Sequence, residues 1–427
     1  MELVVVVGLL ALIGVSIYGS WNFVLKILQE AKNRTAATGI ANERIELIRN
    51  MPYDDIGVSG AIPSGIFPAA ENIERNHTPF VVAMDVRYID DSFDGLAPAD
   101  TLNTDYKQVR VQVSWPGYGY DRPVVMWSSV APRGVESNLG GGTLRVEVIN
   151  AAAEAVSGAA IHVVNTETSP PLNFTLPSDS SGFLLLPGMP AAVQSYQITV
   201  SRSGFNSAQT HNVDPDTNPN PNPGHLTVAE GLVTHKAFTI DQLGLLTVST
   251  TDPDGAAVDN IAFSMSGEKS IGSNGSGAPI LLYQQSHQTD AAGSLALSAL
   301  EFDTYDIHVD GVATSYDIAS VQPALPFLLS PGEQAVMTIR LVPHAPHSLL
   351  VRIINDDDES VAGASAHLTD QTIFNETKTI DDFGYVFFAD LAVDTYTLEV
   401  SAEGYQLFTT EIAVSGALRQ KATLADQ

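Results

Sequence analysis

Residues 2–13 read Glu2-Leu3-Val4-Val5-Val6-Val7-Gly8-Leu9-Leu10-Ala11-Leu12-Ile13, and no charged residue follows before Lys26. As an α-helix, residues 3–25 would be roughly 34 Å long, which is enough to cross the hydrocarbon core of a bilayer. Glu2 stands alone at the head of this run, and a carboxylate in lipid is costly unless it finds a partner. An ordinary membrane anchor or export signal that happens to begin Met-Glu would be apolar in the same way. The residues that follow the run therefore decide whether Glu2 has a role of its own.

The sequence stays helical after the apolar run but becomes amphipathic. Ile40, Ile45 and Ile48 fall near one another on a 3.6-residue wheel, with charged residues turned elsewhere. Pro52 ends the pattern, because the residue before a proline disfavours the α conformation. We therefore expect one helix over residues 1–52, on the order of 70 Å long, rather than a removable secretory signal.

The stretch from Glu2 onward resembles the N-terminus of type IV pilins and pseudopilins, in which a glutamate precedes a long apolar segment. Three features of the family are missing here: the basic leader, the cleaved glycine and the residues that precede the glutamate. We therefore expect the true start to lie upstream of Met1. The resemblance implies that Glu2 pairs with the N-terminal amine of a neighbouring subunit. Glu2 is thus the predicted assembly residue, and the helix is predicted to contact other pilin subunits.

Residues 53–139 are predicted to form a small antiparallel head on the carboxyl half of the helix. Three segments have the composition of strands, and the second alternates strictly between apolar and polar residues. These segments are residues 80–89, 106–115 and 124–130. The strings around residues 49–57 and 105–115 resemble those of minor pilins described as pilus-modification proteins.

Residues 143–427 hold three copies of one β module, about one hundred residues apart. The copies open on the strand-like segments 143–148, 246–250 and 349–354. Each copy then has an Asp-to-Gly turn, which ends at Gly182, Gly293 or Gly384. Each later has a tyrosine inside an alternating strand, namely Tyr196, Tyr305 and Tyr396. Recurrence at a fixed position in diverged copies predicts that these tyrosines anchor the module cores and do not contact a ligand.

Short alternating strands separated by Gly and Asp turns predict small β-sandwiches. The order of features resembles the carboxypeptidase regulatory-like family, whose module is a non-catalytic transthyretin-like or Ig-like sandwich. The middle copy is looser, with an insertion around residues 272–277. Residues 214–224 are rich in proline and are predicted to form a loop or spacer in polyproline geometry. The predicted fold class is mainly β with one long N-terminal α-helix, a pilin-like head and three sandwich modules.

The charge is concentrated in the repeats. Residues 1–142 hold 11 Lys and Arg against 16 Asp and Glu, whereas residues 143–427 hold 9 against 33. Such an acidic surface repels phosphate backbones, so nucleic acid is excluded as a partner. The chain has no Cys, which excludes disulfides and zinc–thiolate sites.

Neither a catalytic motif nor a cofactor site is predicted. The sequence lacks His-Glu-x-x-His, Gly-x-Ser-x-Gly and a phosphate-binding glycine loop. His162 and His367 occupy matching repeat positions, which favours a shared role in a strand over catalysis. Two acidic stretches admit calcium as the minor alternative to solvated turns. They are Asp90, Asp91 and Asp94, and residues 356–359.

The resulting hypothesis is a non-enzymatic minor type IV pilin-like subunit that displays acidic sandwiches for surface adhesion or binding. Residues 3–25 would anchor it in the membrane, with the later domains outside the cytoplasm on a pilus or cell surface, facing an unknown extracellular ligand. The alternatives are a membrane-anchored stalk that does not polymerise and a pseudopilin of a secretion system. An enzyme is the third class of function considered. The predicted domains are residues 1–52, 53–139, 143–241, 244–342 and 347–427.

Overall fold

The described part of the protein is mainly β, with one long helix at its N-terminus, as the sequence predicts. The computed structural model describes residues 2–91, 93, 104–117, 122–132, 141–370 and 372–427, and the side chains of residues 2–13, 15 and 16 lie outside the description. Helix α1 spans Glu2–Arg49, and a 3₁₀ turn, Tyr53–Asp55, follows Pro52. The helix ends where the proline was expected to end it.

A four-stranded antiparallel sheet follows the helix. Its strands lie in sequence order and are β1 (Ala70–Arg75), β2 (Thr78–Ile89), β3 (Tyr106–Ser114) and β4 (Val124–Val130). Strands β2 to β4 were predicted to within two residues, whereas the edge strand β1 was missed. We call residues 53–132 of the described chain the head.

The carboxyl half of α1 packs on this sheet. Ile40, Ile45 and Ile48 are buried, as their spacing predicts, and together with Ala37 and Ala41 they form the helix side of the core. The sheet side comes from alternate residues of β2 and β3, together with Trp115 and with Val124 of β4, because successive residues of a strand point to opposite faces. One apolar layer therefore joins helix and head.

The first repeat is built from two small sheets. Nine strands are found between residues 142 and 239, namely β5 (Gly142–Ile149), β6 (Ala160–Asn165), β7 (Leu172–Pro177), β8 (Phe183–Met189), β9 (Ala192–Ser201), β10 (Ala208–Gln209), β11 (Asn220–Pro221), β12 (Leu226–Val228) and β13 (Val233–Thr239). One sheet has the order β13-β5-β8, and in the other β6 lies between β7 and β9. The inward positions of β5 and β6 are buried.

The second repeat is a sandwich of two four-stranded sheets, ordered β19-β14-β23-β21 and β18-β15-β20-β22. Its elements are β14 (Gly244–Thr251), β15 (Ala262–Gly267), β16 (Ser270–Ser273), β17 (Pro279–Leu281), β18 (Gln284–Gln288), β19 (Ser294–Leu300), β20 (Asp303–His308), α2 (Gly311–Thr314), β21 (Tyr316–Gln322), β22 (Phe327–Leu329) and β23 (Gln334–Pro343). Strand β14 pairs in parallel with β23, so the first and last strands lie side by side.

The third repeat has the same plan. Its sheets are ordered β27-β24-β30 and β26-β25-β28-β29. The strands are β24 (Ser348–Asn355), β25 (Ser365–Thr369), β26 (Asn375–Thr379), β27 (Tyr385–Phe388), β28 (Asp394–Ser401), β29 (Phe408–Val414) and β30 (Ala417–Leu424). Here too the first strand pairs in parallel with the last. Leu350 and Tyr385 of this repeat belong to the hydrophobic core of the second repeat, so the two modules share an apolar contact.

The proline-rich stretch is paired with another strand rather than extended as a free spacer. Strand β11 pairs antiparallel with β16, which lies in the insertion of the second repeat, and His211 and Gly224 form a bridge across the base of the loop. Proline is tolerated here because an edge position does not need every N–H donor.

The chain divides into two compact units. The first contains Met1–Ile149, Ala153–Val200 and His225–Phe238, and the second contains Asn150–Ala152, Ser201–Gly224 and Thr239–Gln427. This division does not test the five domain boundaries expected from the sequence, which stay predictions.

Candidate functional site

The amino half of α1 presents an exposed apolar surface. Ile17 is 64% exposed, Tyr18 71% and Trp21 65%, and the apolar side chains up to Leu28 are also exposed. We call residues 17–28 the exposed apolar segment. Soluble monomers seldom leave contiguous apolar surface of this kind in water, and such surface marks contact with another protein or with a membrane.

The polar contacts between α1 and the head begin immediately after this segment. The indole Nε1 of the buried Trp115 donates to Glu30 Oε2 at 3.1 Å, and the Trp115 ring lies 6.0 Å from the ring of Phe80. One turn later Asn33 is buried and accepts hydrogen bonds from Gln29 and Thr78. These contacts mark where the helix changes from a free surface to a part of the head.

A buried lysine ties the sheet to the turn that follows the helix. Lys107 is 2% exposed, and its Nζ donates to the carbonyl oxygens of Tyr53 at 2.8 Å and Ile56 at 2.7 Å. The ammonium also lies 4.5 Å from the centre of the Tyr53 ring. Burial lowers the pKa of Lys107 from 10.5 to about 8, opposed by the nearby carboxylates of Asp54 and Asp55.

Sequence reasoning missed this role, although a signal was present. Lys107 stands two residues before Val109 in an alternating strand, and Val109, Val111 and Val113 all point inward. The phase of the alternation therefore places Lys107 on the inner face, where an ammonium needs hydrogen-bond acceptors.

The predicted assembly residue lies at the start of α1. The helix begins at Glu2, but its side chain lies outside the described residues, so its role as an assembly contact stays a prediction. Much of the predicted membrane segment, residues 3–25, is likewise undescribed in its side chains. In the described part of the chain, no helix is long and apolar enough to cross a membrane.

The three repeat tyrosines are core anchors, which confirms the prediction. Tyr196, Tyr305 and Tyr396 are each at most 1% exposed. Their hydroxyls donate to backbone carbonyls a few residues upstream, on Pro190, Glu301 and Ala392 respectively. Each ring therefore fills a sandwich core while its hydroxyl fixes the preceding turn, as in the tyrosine corners of other sandwiches.

The two matching histidines form the same cross-strand pair in the first and third repeats. His162 Nε2 lies 2.9 Å from Asn173 Oδ1, and His367 Nε2 lies 2.9 Å from Asn375 Oδ1. In both repeats the histidine is opposite a threonine and the asparagine is two residues before it. This shared geometry on a solvent-facing sheet supports the strand role that the sequence predicts.

The two acidic stretches differ in how much of them is described. Asp91 accepts the backbone N–H of Phe93 and donates its own N–H to Asp105, whereas Asp94 lies outside the described residues. In the second stretch, Asn355 Oδ1 accepts the N–H groups of Asp357 and Glu359, which closes a polar turn. Among the described residues, no group of three or more His, Asp or Glu could hold a metal ion.

A histidine–aspartate pair holds the connection between the second and third repeats. Asp317 is largely buried, and its two oxygens accept from His344 Nδ1 at 2.9 Å and from the Ala345 N–H at 2.8 Å. Both bonds fix the linker that leads to Ser348, so the histidine acts in the connection between modules. That the chain is not an enzyme stays a prediction.

No family model matches the chain, and no curated protein matches it. Solved structures with a weak likeness include the TIE protein of Bacillus anthracis, with a TM-score of 0.20, 14% identity and coverage of 84% of this chain and 73% of that one. A streptococcal ancillary pilin has a TM-score of 0.19 and 10% identity over 67% of this chain and 99% of its own. The major pilin BcpA of Bacillus cereus has a TM-score of 0.17 and 10% identity over 67% and 100%.

Proposed function

We propose that this protein is a non-enzymatic, minor type IV pilin-like subunit that displays acidic β-sandwich modules on a filament. The proposal rests on the two different surroundings of α1. Its carboxyl half packs into the head, whereas residues 17–28 stay exposed. A subunit that polymerises through its helix needs this division, because the buried half fixes the helix to the head and the free half must meet other helices.

The sequence supports the same proposal at the amino end of α1. Glu2 heads an apolar run that resembles the assembly segment of type IV pilins. In this proposal residues 3–25 hold the chain in the membrane before assembly and enter the filament core afterwards. Glu2 then pairs with a neighbouring N-terminal amine, which removes the cost of an unpaired carboxylate in an apolar medium.

The repeats supply the displayed part of the subunit, outside the cytoplasm. Residues 143–427 hold 33 Asp and Glu against 9 Lys and Arg, so their surface is strongly hydrated and repels anionic polymers. The anchor tyrosines Tyr196, Tyr305 and Tyr396 are committed to the cores, which leaves the sheet faces and loops for adhesion or binding.

Incorporation of Glu2 variants into filaments tests the proposal. The chain carrying Glu2→Ala should remain folded and cell-associated but fall at least tenfold in the filament fraction released by shearing, measured by quantitative mass spectrometry. The matched control is Glu46→Gln, since Glu46 is an exposed glutamate of the same helix that pairs with Arg49. Equal incorporation of both variants would contradict the proposal.

A membrane-anchored stalk that does not polymerise is the second candidate, because exposed apolar helix surface also suits lipid. In that case even the wild-type chain would be missing from the sheared fraction and remain with the membranes. A pseudopilin of a secretion system would instead assemble with other subunits without appearing in the sheared surface fraction.

A further inference from the structure

A groove lies between the second and third repeats, inside the second compact unit. It has a volume of about 470 Å³, within the range of small-molecule sites. One wall is apolar and comes from β21 and the turn after it, with Ile318, Val321 and Leu325. The other wall is the outer face of the sheet β27-β24-β30. We call this feature the inter-repeat groove.

Strand register places three cations on that outer face. In the parallel pair of β24 and β30, Leu350 lies opposite Arg419 and Arg352 lies opposite Lys421. The intervening Val351 is fully buried in the core of the third repeat, so alternation turns its neighbours toward the groove. Three of the 9 Lys and Arg in residues 143–427 therefore line one cavity of an acidic chain.

Nearby carboxylates neutralise these three cations only in part. Asp358 pairs with Lys421 at 2.7 Å, and its backbone carbonyl accepts a long bond from Arg352 at 3.5 Å. Asp306 approaches Arg419 no closer than 3.9 Å. Arg352 Nε is buried and has no hydrogen-bond partner among the described residues, and such a donor is costly to leave unpaired.

The groove is held in shape by a shared core. Tyr385 is 5% exposed on β27 and packs with Leu350 in the core of the second repeat. Burial raises the pKa of the Tyr385 phenol, and its hydroxyl bonds to the backbone of Leu325. The apolar wall and the cationic wall are thus fixed to each other, which reduces the entropy lost when a ligand binds.

We propose that the inter-repeat groove binds a carboxylate attached to an apolar or aromatic body. The carboxylate would accept from the guanidinium groups of Arg352 and Arg419, which match its planar geometry. The body would lie against Ile318, Val321 and Leu325. This site goes beyond the proposed function and does not depend on filament assembly, so either can fail alone.

Hippurate, which joins a carboxylate to a benzoyl group, is a suitable probe, and N-benzoylglycinamide is its neutral counterpart. The full chain with labelled Leu and Val methyl groups is titrated with each probe by NMR. Hippurate should shift the methyl signals of Val321, Leu325 and Leu350 saturably, and the amide should bind at least tenfold more weakly. Equal affinity for acid and amide, or shifts that do not include these methyls, would overturn the proposal.

Two charge-matched double variants separate a local site from general electrostatics. Arg419→Gln with Lys421→Gln removes two cations of the groove, whose side chains are 46% and 55% exposed. Arg202→Gln with Lys236→Gln removes two cations that do not line it. The first pair should weaken hippurate binding at least tenfold and the second less than twofold, with the methyl spectrum reporting an intact fold. Equal weakening by both pairs would overturn the proposal.

Discussion

Lys107 Nζ donates to the carbonyl oxygen of Ile56 at 2.7 Å, across a sequence separation of 51 residues. Ile56 belongs to the connection that leaves α1, and Lys107 begins the inward face of β3. A single ammonium therefore joins β3 to two backbone carbonyls of this connection, those of Tyr53 and Ile56. Because the group is buried, it also makes the stability of the head depend on pH.

The head should become more stable as the pH rises from 8 to 10. The folded Lys107 loses its proton at about pH 8 and the unfolded one near pH 10.5, so within this window the unfolded chain binds more protons and the free energy of unfolding increases. The gain is at most about 2–3 kcal/mol. Above pH 10 the trend should reverse, because burial raises the pKa of Tyr88 from 10.0 to about 12. The unfolded Tyr88 then loses its proton while the folded one keeps it, so the free energy of unfolding decreases.

Urea unfolding followed by tryptophan fluorescence measures this effect in the intact chain. The 3 Trp residues are Trp21, Trp115 and Trp127, all outside the repeats, so the signal reports on the helix and the head. Lys107→Met should abolish the rise between pH 8 and 10. A rise of the same size in the variant would assign the effect to other groups.

Tyr396→Ala should destabilise the third repeat by roughly 3–5 kcal/mol, by analogy with the truncation of a buried Phe. The ring is 1% exposed and lies edge-on to Phe374 at 5.4 Å. Tyr396→Phe is the matched control, since it removes only the hydrogen bonds to Ala392 and should cost about 1 kcal/mol. Calorimetric melting of the full chain separates the two. A cost below about 1 kcal/mol for Tyr396→Ala would show that the ring does not support the core.

Gly293→Ala should destabilise the second repeat more than Gly255→Ala. Both glycines have positive φ, 68° and 87°, so both alanines carry similar conformational strain of about 1–2 kcal/mol. A Cβ at Gly293 would lie 2.7 Å from the carbonyl oxygen of Thr250, whereas a Cβ at Gly255 meets nothing within 4 Å. The difference in melting temperature between the two variants measures the backbone contact alone. Equal losses of melting temperature in the two variants would mean that the turn at Gly293 shifts to accommodate the Cβ at no cost in free energy.

The local patterns predicted most elements of the fold. The isoleucines of α1 and the alternation in β3 each bury one face, and a regular period reports this directly. Strand β1 was missed because it is a polar edge strand with Ile73 as its single large apolar residue. Its place is fixed by pairing with β2, which no local pattern reports.

The inter-repeat groove could not be predicted from the sequence. Leu325, Arg352 and Arg419 are far apart in the chain and meet because two modules share a core around Tyr385. Each residue alone is typical of a strand or a turn. Their chemistry depends on the register of β24 against β30 and on how the modules pack, and both are tertiary properties.

In the proposed filament, α1 enters the core while the repeats stay outside. The chain has no Cys, so a single introduced Cys is a specific label. Ser20→Cys lies on the exposed part of α1, and Glu403→Cys lies on an exposed turn of the third repeat. In sheared filaments, Glu403→Cys should react with a maleimide at once, and Ser20→Cys should react only after detergent separates the subunits. Equal labelling of both positions in intact filaments, or absence of the chain from them, would show that α1 does not form the core of a filament.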